Sequence, residues 1–126
     1  MVEAAIGDDD EARLRQNATE LERLAKQSGH KLNQGVAHRA WGVSHTRAGE
    51  YTQASERLNM ALAQFEALGT RWQAGLTLCE LGELALLQTD TASALIYLNR
   101  ALQALEELRA IPDATKVRQR LASLGG

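Results

Sequence analysis

Two stretches of this chain carry nearly the same residues forty positions apart, and that echo limits the possible folds more than any other feature. Gly35-Val36-Ala37-His38-Arg39-Ala40-Trp41-Gly42 is answered by Gly75-Leu76-Thr77-Leu78-Cys79-Glu80-Leu81-Gly82. Ala54, Leu58-Asn59 and Ala61-Leu62 return as Ala94, Leu98-Asn99 and Ala101-Leu102, and Leu68 returns as Leu108. The step is the same each time (75 − 35 = 40), within the range of periods that marks stacked repeats. A unit of that size buries its apolar face only against its neighbours, so the expected product is a quasi-one-dimensional stack. Work of that kind is holding something.

What the units are made of follows from composition. Hydrophobic residues make up 44% of the chain but aromatics only 4%, so the core has to be built mainly from Leu and Ala. Such a core suits closely packed helices and lacks the β-branched and aromatic residues that fill strands. The single proline, Pro112, leaves long stretches free of helix breakers. A length of 126 residues fits one domain, residues 1–126, that buries roughly two-thirds of its unfolded surface.

The apolar spacing predicts about six helices. Met1 to Gly7 reads as a lead-in, and Asp8-Asp9-Asp10 as a cap and dipole partner at the start of a first helix, residues 8–29. Leu14, Ala18, Leu21 and Ala25 give that helix one narrow stripe, and Gly29 ends it. A first hairpin spans residues 34–69: a helix from about Gln34 to Ala48, a turn at Gly49-Glu50, and a helix from Thr52 to Leu68. A second spans residues 72–109, with its turn at Gln88-Thr89-Asp90. A closing helix, residues 112–124, carries Val117, Leu121 and Leu124 before a Gly125-Gly126 tail. Loops this short make consecutive helices antiparallel neighbours. Gly42 and Gly82 sit inside helices at equivalent sites, where glycine costs ~1 kcal/mol unless a neighbour needs the space.

Charge and cysteine content narrow the class of work. Fourteen basic and sixteen acidic residues give a formal charge of −2, with no basic excess pointing to nucleic acid or an anionic membrane. No apolar run approaches the ~20 residues that span a bilayer. The lone Cys79 cannot form an internal disulfide, which fits a reducing, cytoplasmic setting. His38 and His45 lie two turns apart on one helix with no third ligand in view, so no metal is expected. The aspartate triplet lacks the alternating ligands and later Glu of a calcium loop. No glycine-rich phosphate loop is present, and no cofactor is implied. Cys79 reads as a small hydrophobe. Trp41 reads as core, and Trp72 beside Arg71 as a surface anchor.

With these residues set out, the chain resembles a tetratricopeptide repeat (TPR) protein. The pattern of a large residue, then a large residue and Gly in the first helix, followed by small-large-small in the second, appears as Leu78, Leu81-Gly82, Ala94, Leu98 and Ala101. It appears earlier as His38, Trp41-Gly42, Ala54, Leu58 and Ala61, with Gly49-Glu50-Tyr51 at the turn. The resemblance covers residues 35–113, with half-units before and after. The period exceeds the usual one of about 34 residues. The run Leu68-Gly69-Thr70-Arg71-Trp72 is similar to long repeats in large bacterial signalling and transcription-regulating ATPases, where they serve as sensor or docking arms.

The resemblance implies an all-α fold of antiparallel helical hairpins stacked in a right-handed superhelix. It further implies a concave groove lined by the first helix of each unit. By register that groove takes Arg39, Val43 and Thr46 from the first unit, Cys79, Glu83 and Leu86 from the second, and Lys116, Gln119 and Ser123 from the last helix. Val43 and Glu83 stand where a carboxylate-gripping TPR would carry Asn, so that clamp is not expected. The implied function is non-catalytic: a scaffold, adaptor or docking module holding a protein or peptide partner. The alternatives are a self-assembling structural domain and the sensor arm of a larger bacterial regulator. Both end helices show only a narrow apolar stripe, which weakens self-assembly.

Overall fold

The structure, a computed structural model, describes residues 2–125, with side chains described from residue 11 to residue 124. Six α-helices follow one another, α1 (Val2–Ser28), α2 (Lys31–Arg47), α3 (Tyr51–Leu68), α4 (Arg71–Leu87), α5 (Thr91–Glu107) and α6 (Ile111–Gly125). No strand occurs among the described residues. The hairpin helices begin and end within a few residues of the expected bounds. The first helix does not. It starts at Val2, so Asp8, Asp9 and Asp10 lie inside it and are not its cap. The physical reason is that a single Gly7 costs only about 1 kcal/mol against a continuing helix, too little to stop one. The closing helix likewise takes in Gly125. Met1 and Gly126, assigned to the lead-in and the tail, lie outside the described residues.

Five turns set this layout. Residues with left-handed φ stand at Gly29 (67°), Gly49 (78°), Gly69 (72°), Thr89 (61°) and Arg109 (57°), each twenty residues after the last. Four of the turns close by the same pair of bonds. The left-handed residue's N–H reaches the carbonyl three residues back, and the next N–H the carbonyl five back: Gly49 to Thr46 (3.1 Å) and Glu50 to His45 (2.9 Å) in one, Thr89 to Leu86 (3.0 Å) and Asp90 to Ala85 (2.8 Å) in another. These are helix-ending Schellman closures, which satisfy carbonyls that the helix leaves orphaned. Sequence inspection placed these turns, including the one at Gln88-Thr89-Asp90, but not the left-handed φ at Thr89 and Arg109, which carry no glycine to announce it.

The chain divides between Gln64 and Phe65, within α3, into two compact units. In the first, α1 packs on α2, and α2 meets the first part of α3 through Gly42. A Cβ added at Gly42 would lie 2.5 Å from Leu58 Cγ and Cδ2. Leu58, Leu62, Ala18, Ala25, Ala37, Ala54 and Ala61 are the buried hydrophobic residues of this unit. In the second unit, α5 packs against both α4 and α6. Here a Cβ at Gly82 would lie 2.8 Å from Leu98 Cγ. Leu98 stands forty residues after Leu58, so the repeat seen in sequence is also a repeat of one contact. Leu98, Leu105, Ala114 and Val117 form the core beneath α6.

Candidate partner-binding cleft

Helix spacing brings the chemistry of the second unit together. On α4, Leu76, Cys79 and Glu83 fall at i, i+3 and i+7, one face of the helix. On α6, Asp113, Lys116, Val117 and Arg120 do the same at i, i+3, i+4 and i+7. These two faces wall a cleft of about 310 Å³ whose floor is Leu98 and Leu105 of α5. Both floor residues are fully buried. Asp113, Glu83 and Arg120 on its rim are held by hydrogen bonds, one set near the start of α4 and α6 and one farther along both helices. In the first, the Trp72 indole N–H donates to Asp113 Oδ2 at 3.3 Å. In the second, the Arg120 guanidinium forks onto both carboxylate oxygens of Glu83 at 2.7 and 3.0 Å. That pairing holds the Arg120 guanidinium above its ordinary pKa.

Cys79 lies in the apolar part of this cleft. Burial pushes its thiol up to about 11, and the carboxylates of Glu80, Asp113 and Glu83 push the same way. It is therefore a neutral thiol at physiological pH, without the thiolate that a nucleophile requires. The arrangement offers an apolar slot with a polar rim, suited to gripping a side chain.

Of the residues expected along the groove, Cys79, Glu83 and Lys116 line this cleft; Leu86 and Gln119 do not. Leu86 is half-buried near the end of α4, and Gln119 is exposed on α6. In the first unit Arg39, Val43 and Thr46 are half-buried on α2, and the Thr46 hydroxyl is spent on the Gly42 carbonyl at 2.8 Å. The Ser123 hydroxyl is likewise spent on the Arg120 carbonyl at 2.7 Å. Asp113 and Arg120 escaped the sequence reading, although their spacing from Lys116 was available as a signal. A second cleft, about 390 Å³, also escaped it. It lies among the end of α3, the start of α4 and α5, floored by Phe65, Ala74, Leu78 and Ala104. Its rim holds two ion pairs, Arg71–Glu107 (3.1 Å) and Arg100–Glu66 (3.3 Å).

The two histidines of α2 have separate partners. Arg57 of α3 donates to Glu22 of α1 at 2.7 Å and to His38 Nδ1 at 3.0 Å, and its guanidinium lies 5.7 Å from the centre of the Trp41 ring. His45 stacks on the Trp41 ring with centres 5.5 Å apart, and its Nδ1–H donates to Glu50 at 2.8 Å. Trp41 is half-buried in this cluster, and its indole N–H finds no acceptor among the described residues. No group of three metal-ligating side chains gathers among the described residues.

The sequence profile of the tetratricopeptide repeat matches residues 33–107. The chain belongs to the tetratricopeptide repeat family. The matched stretch takes in both glycine–leucine contacts, the α2–α3 hairpin and the α4–α5 hairpin. None of the curated proteins or solved structures compared with it gives a match. TPR repeats generally mediate protein–protein interaction and are typically not enzymes. No helix among the described residues of this TPR chain is long and apolar enough to cross a membrane.

Proposed function

We propose that this TPR chain is a non-catalytic interaction module that holds a peptide or partner helix on its first-type helices, α2, α4 and α6. The observation that carries the reading is the α4–α6 cleft, apolar at its floor and charged at its rim. Binding sites of that construction draw affinity from a buried apolar anchor and orientation from the polar edge. The participating residues on this reading are Arg39, Val43 and Thr46 of α2, Cys79, Glu83 and Leu86 of α4, and Lys116 and Gln119 of α6. The neutral thiol of Cys79 suits a reducing cytoplasm. The test begins with affinity capture from the native cell and identification of the partner by mass spectrometry, followed by titration of the purified partner. Arg39→Glu should weaken binding more than it lowers the melting temperature, since Arg39 is half-buried on α2, whereas Glu56→Arg, at an exposed site on α3, should leave affinity unchanged. If Glu56→Arg abolished binding and Arg39→Glu did not, the partner would use the second-type helices and the reading would fall.

A further inference from the structure

We infer that the α4–α6 cleft is a socket for one apolar side chain of a partner peptide that carries a carboxylate beside that anchor, directed at Lys116. The inference rests on the interaction-module reading and supplies the chemistry of what the module takes.

The floor decides the anchor. Leu98 and Leu105 lie beneath, Leu76 and Val117 at the sides, and Cys79 contributes an uncharged sulfur. A space of about 310 Å³ accommodates a leucine, methionine or phenylalanine side chain. A charged group sent to the same depth would lose its hydration against these apolar atoms with nothing to replace it.

The rim decides the neighbour. The groups that face the cleft are Glu83 on α4 and Asp113, Lys116 and Arg120 on α6, and Glu80 on α4 adds its field at Cys79. Glu83 and Arg120 satisfy each other through two parallel bonds, and a forked pair of that kind is not readily surrendered. Asp113 accepts the Trp72 indole N–H. Lys116 is exposed, and no carboxylate among the described residues pairs with it. It is thus the rim cation still available to a ligand, since Arg120 is taken by Glu83, and its complement is an anion. Opposed potentials across an interface set orientation and partner choice more than raw affinity. The partner's carboxylate therefore selects which apolar residue enters.

Two short capped peptides test this, alike except that the single leucine is flanked by glutamate in one and by lysine in the other. Titrated into the whole chain and followed by amide NMR, the glutamate peptide should bind about fivefold more tightly, the effect of one exposed charge pair. Its shifts should centre on Cys79, Leu105 and Val117. Lys116→Gln should erase the preference and Lys116→Glu should invert it. Lys116 is exposed, so neither change disturbs the core. Equal binding of the two peptides, a preference unmoved in Lys116→Glu, shifts confined to α2, or no binding at all would each overturn the socket. A native partner that bound through the first-type helices with affinity unchanged in Lys116→Glu would overturn it while leaving the interaction-module reading in place.

Discussion

A methyl group added at Gly42 would meet Leu58 at 2.5 Å, and one added at Gly82 would meet Leu98 at 2.8 Å, whereas at Gly75 the nearest atom is Leu105 Cδ2 at 3.3 Å. Three helical glycines therefore behave differently under one substitution. Alanine recovers about 1 kcal/mol of helix propensity at each site, but at Gly42 and Gly82 it must displace a leucine that is itself fully buried. Overpacking of that sort costs about 1–3 kcal/mol. Urea denaturation should show Gly42→Ala and Gly82→Ala less stable than wild type, with Gly75→Ala equal to it or better, and Gly82→Leu should lose about 3 kcal/mol. The turns give the opposite case. Thr89 and Arg109 hold left-handed φ values, a conformation that costs an ordinary L-residue roughly 1–2 kcal/mol. Thr89→Gly and Arg109→Gly should each raise the melting temperature, and both remaining unchanged would show that these turns carry no strain. These sites also mark what sequence could disclose. Gly42 and Gly82 were legible because a helical glycine is costly and a repeated one demands a reason. Thr89 and Arg109 were not, since nothing in their side chains signals positive φ.

Among the elements, the side-chain network joining α1, α2 and α3 is sensitive to acid. Burial, and then the nearby Arg57 cation, hold the His38 ring below the ordinary histidine pKa, with Glu22 acting weakly the other way. The unfolded chain thus takes up a proton at His38 more readily than the folded one. The stability this contributes is complete above the ordinary histidine value and is lost as pH falls through the lower folded value. Glu22 and Glu50 are held below the usual carboxylate range by hydrogen bonds from Arg57 and His45 respectively. Their contribution persists to lower pH and goes only as the carboxylates protonate. Denaturation midpoints should accordingly fall between about pH 7 and about pH 5, and His38→Gln should flatten that portion of the profile. A wild-type midpoint constant over the interval would count against the network. Arg57→Ala, which removes the link to Glu22 and the contact with the Trp41 ring, should cost about 1–2 kcal/mol. None of these pairings was legible. His38 and His45 were noticed as two histidines on one face, but their partners come from Arg57 and Glu50, whose positions depend on how α3 and the turn return. The α4–α6 cleft shows the same divide. Cys79 and Glu83 follow from helix register alone, while the Glu83–Arg120 pair depends on how α6 docks on α5.

For the whole molecule, the exposed faces of the two end helices matter most. Gln16, Glu20, Arg23 and Gln27 on α1, and Arg118, Gln119 and Ser123 on α6, are exposed and polar. Leu24 on α1 and Ile111 on α6 are exposed among them, but as single apolar residues within a polar surface they give a second copy little to bury. Light scattering should therefore report a monomer at micromolar concentration, and a concentration-dependent mass would favour the self-assembling alternative. The fold class was the most legible property of all, because Leu- and Ala-rich repeats with one proline leave few options besides helices. The twenty-residue spacing of the five turns, from Gly29 to Arg109, also fixes how such a chain can grow. Each turn reverses the chain's heading, and only a pair of turns restores it. A twenty-residue insertion would preserve every helix yet send all that follows in the opposite direction. A forty-residue insertion would leave the heading untouched. Length is therefore free to change in this chain, but only in even steps.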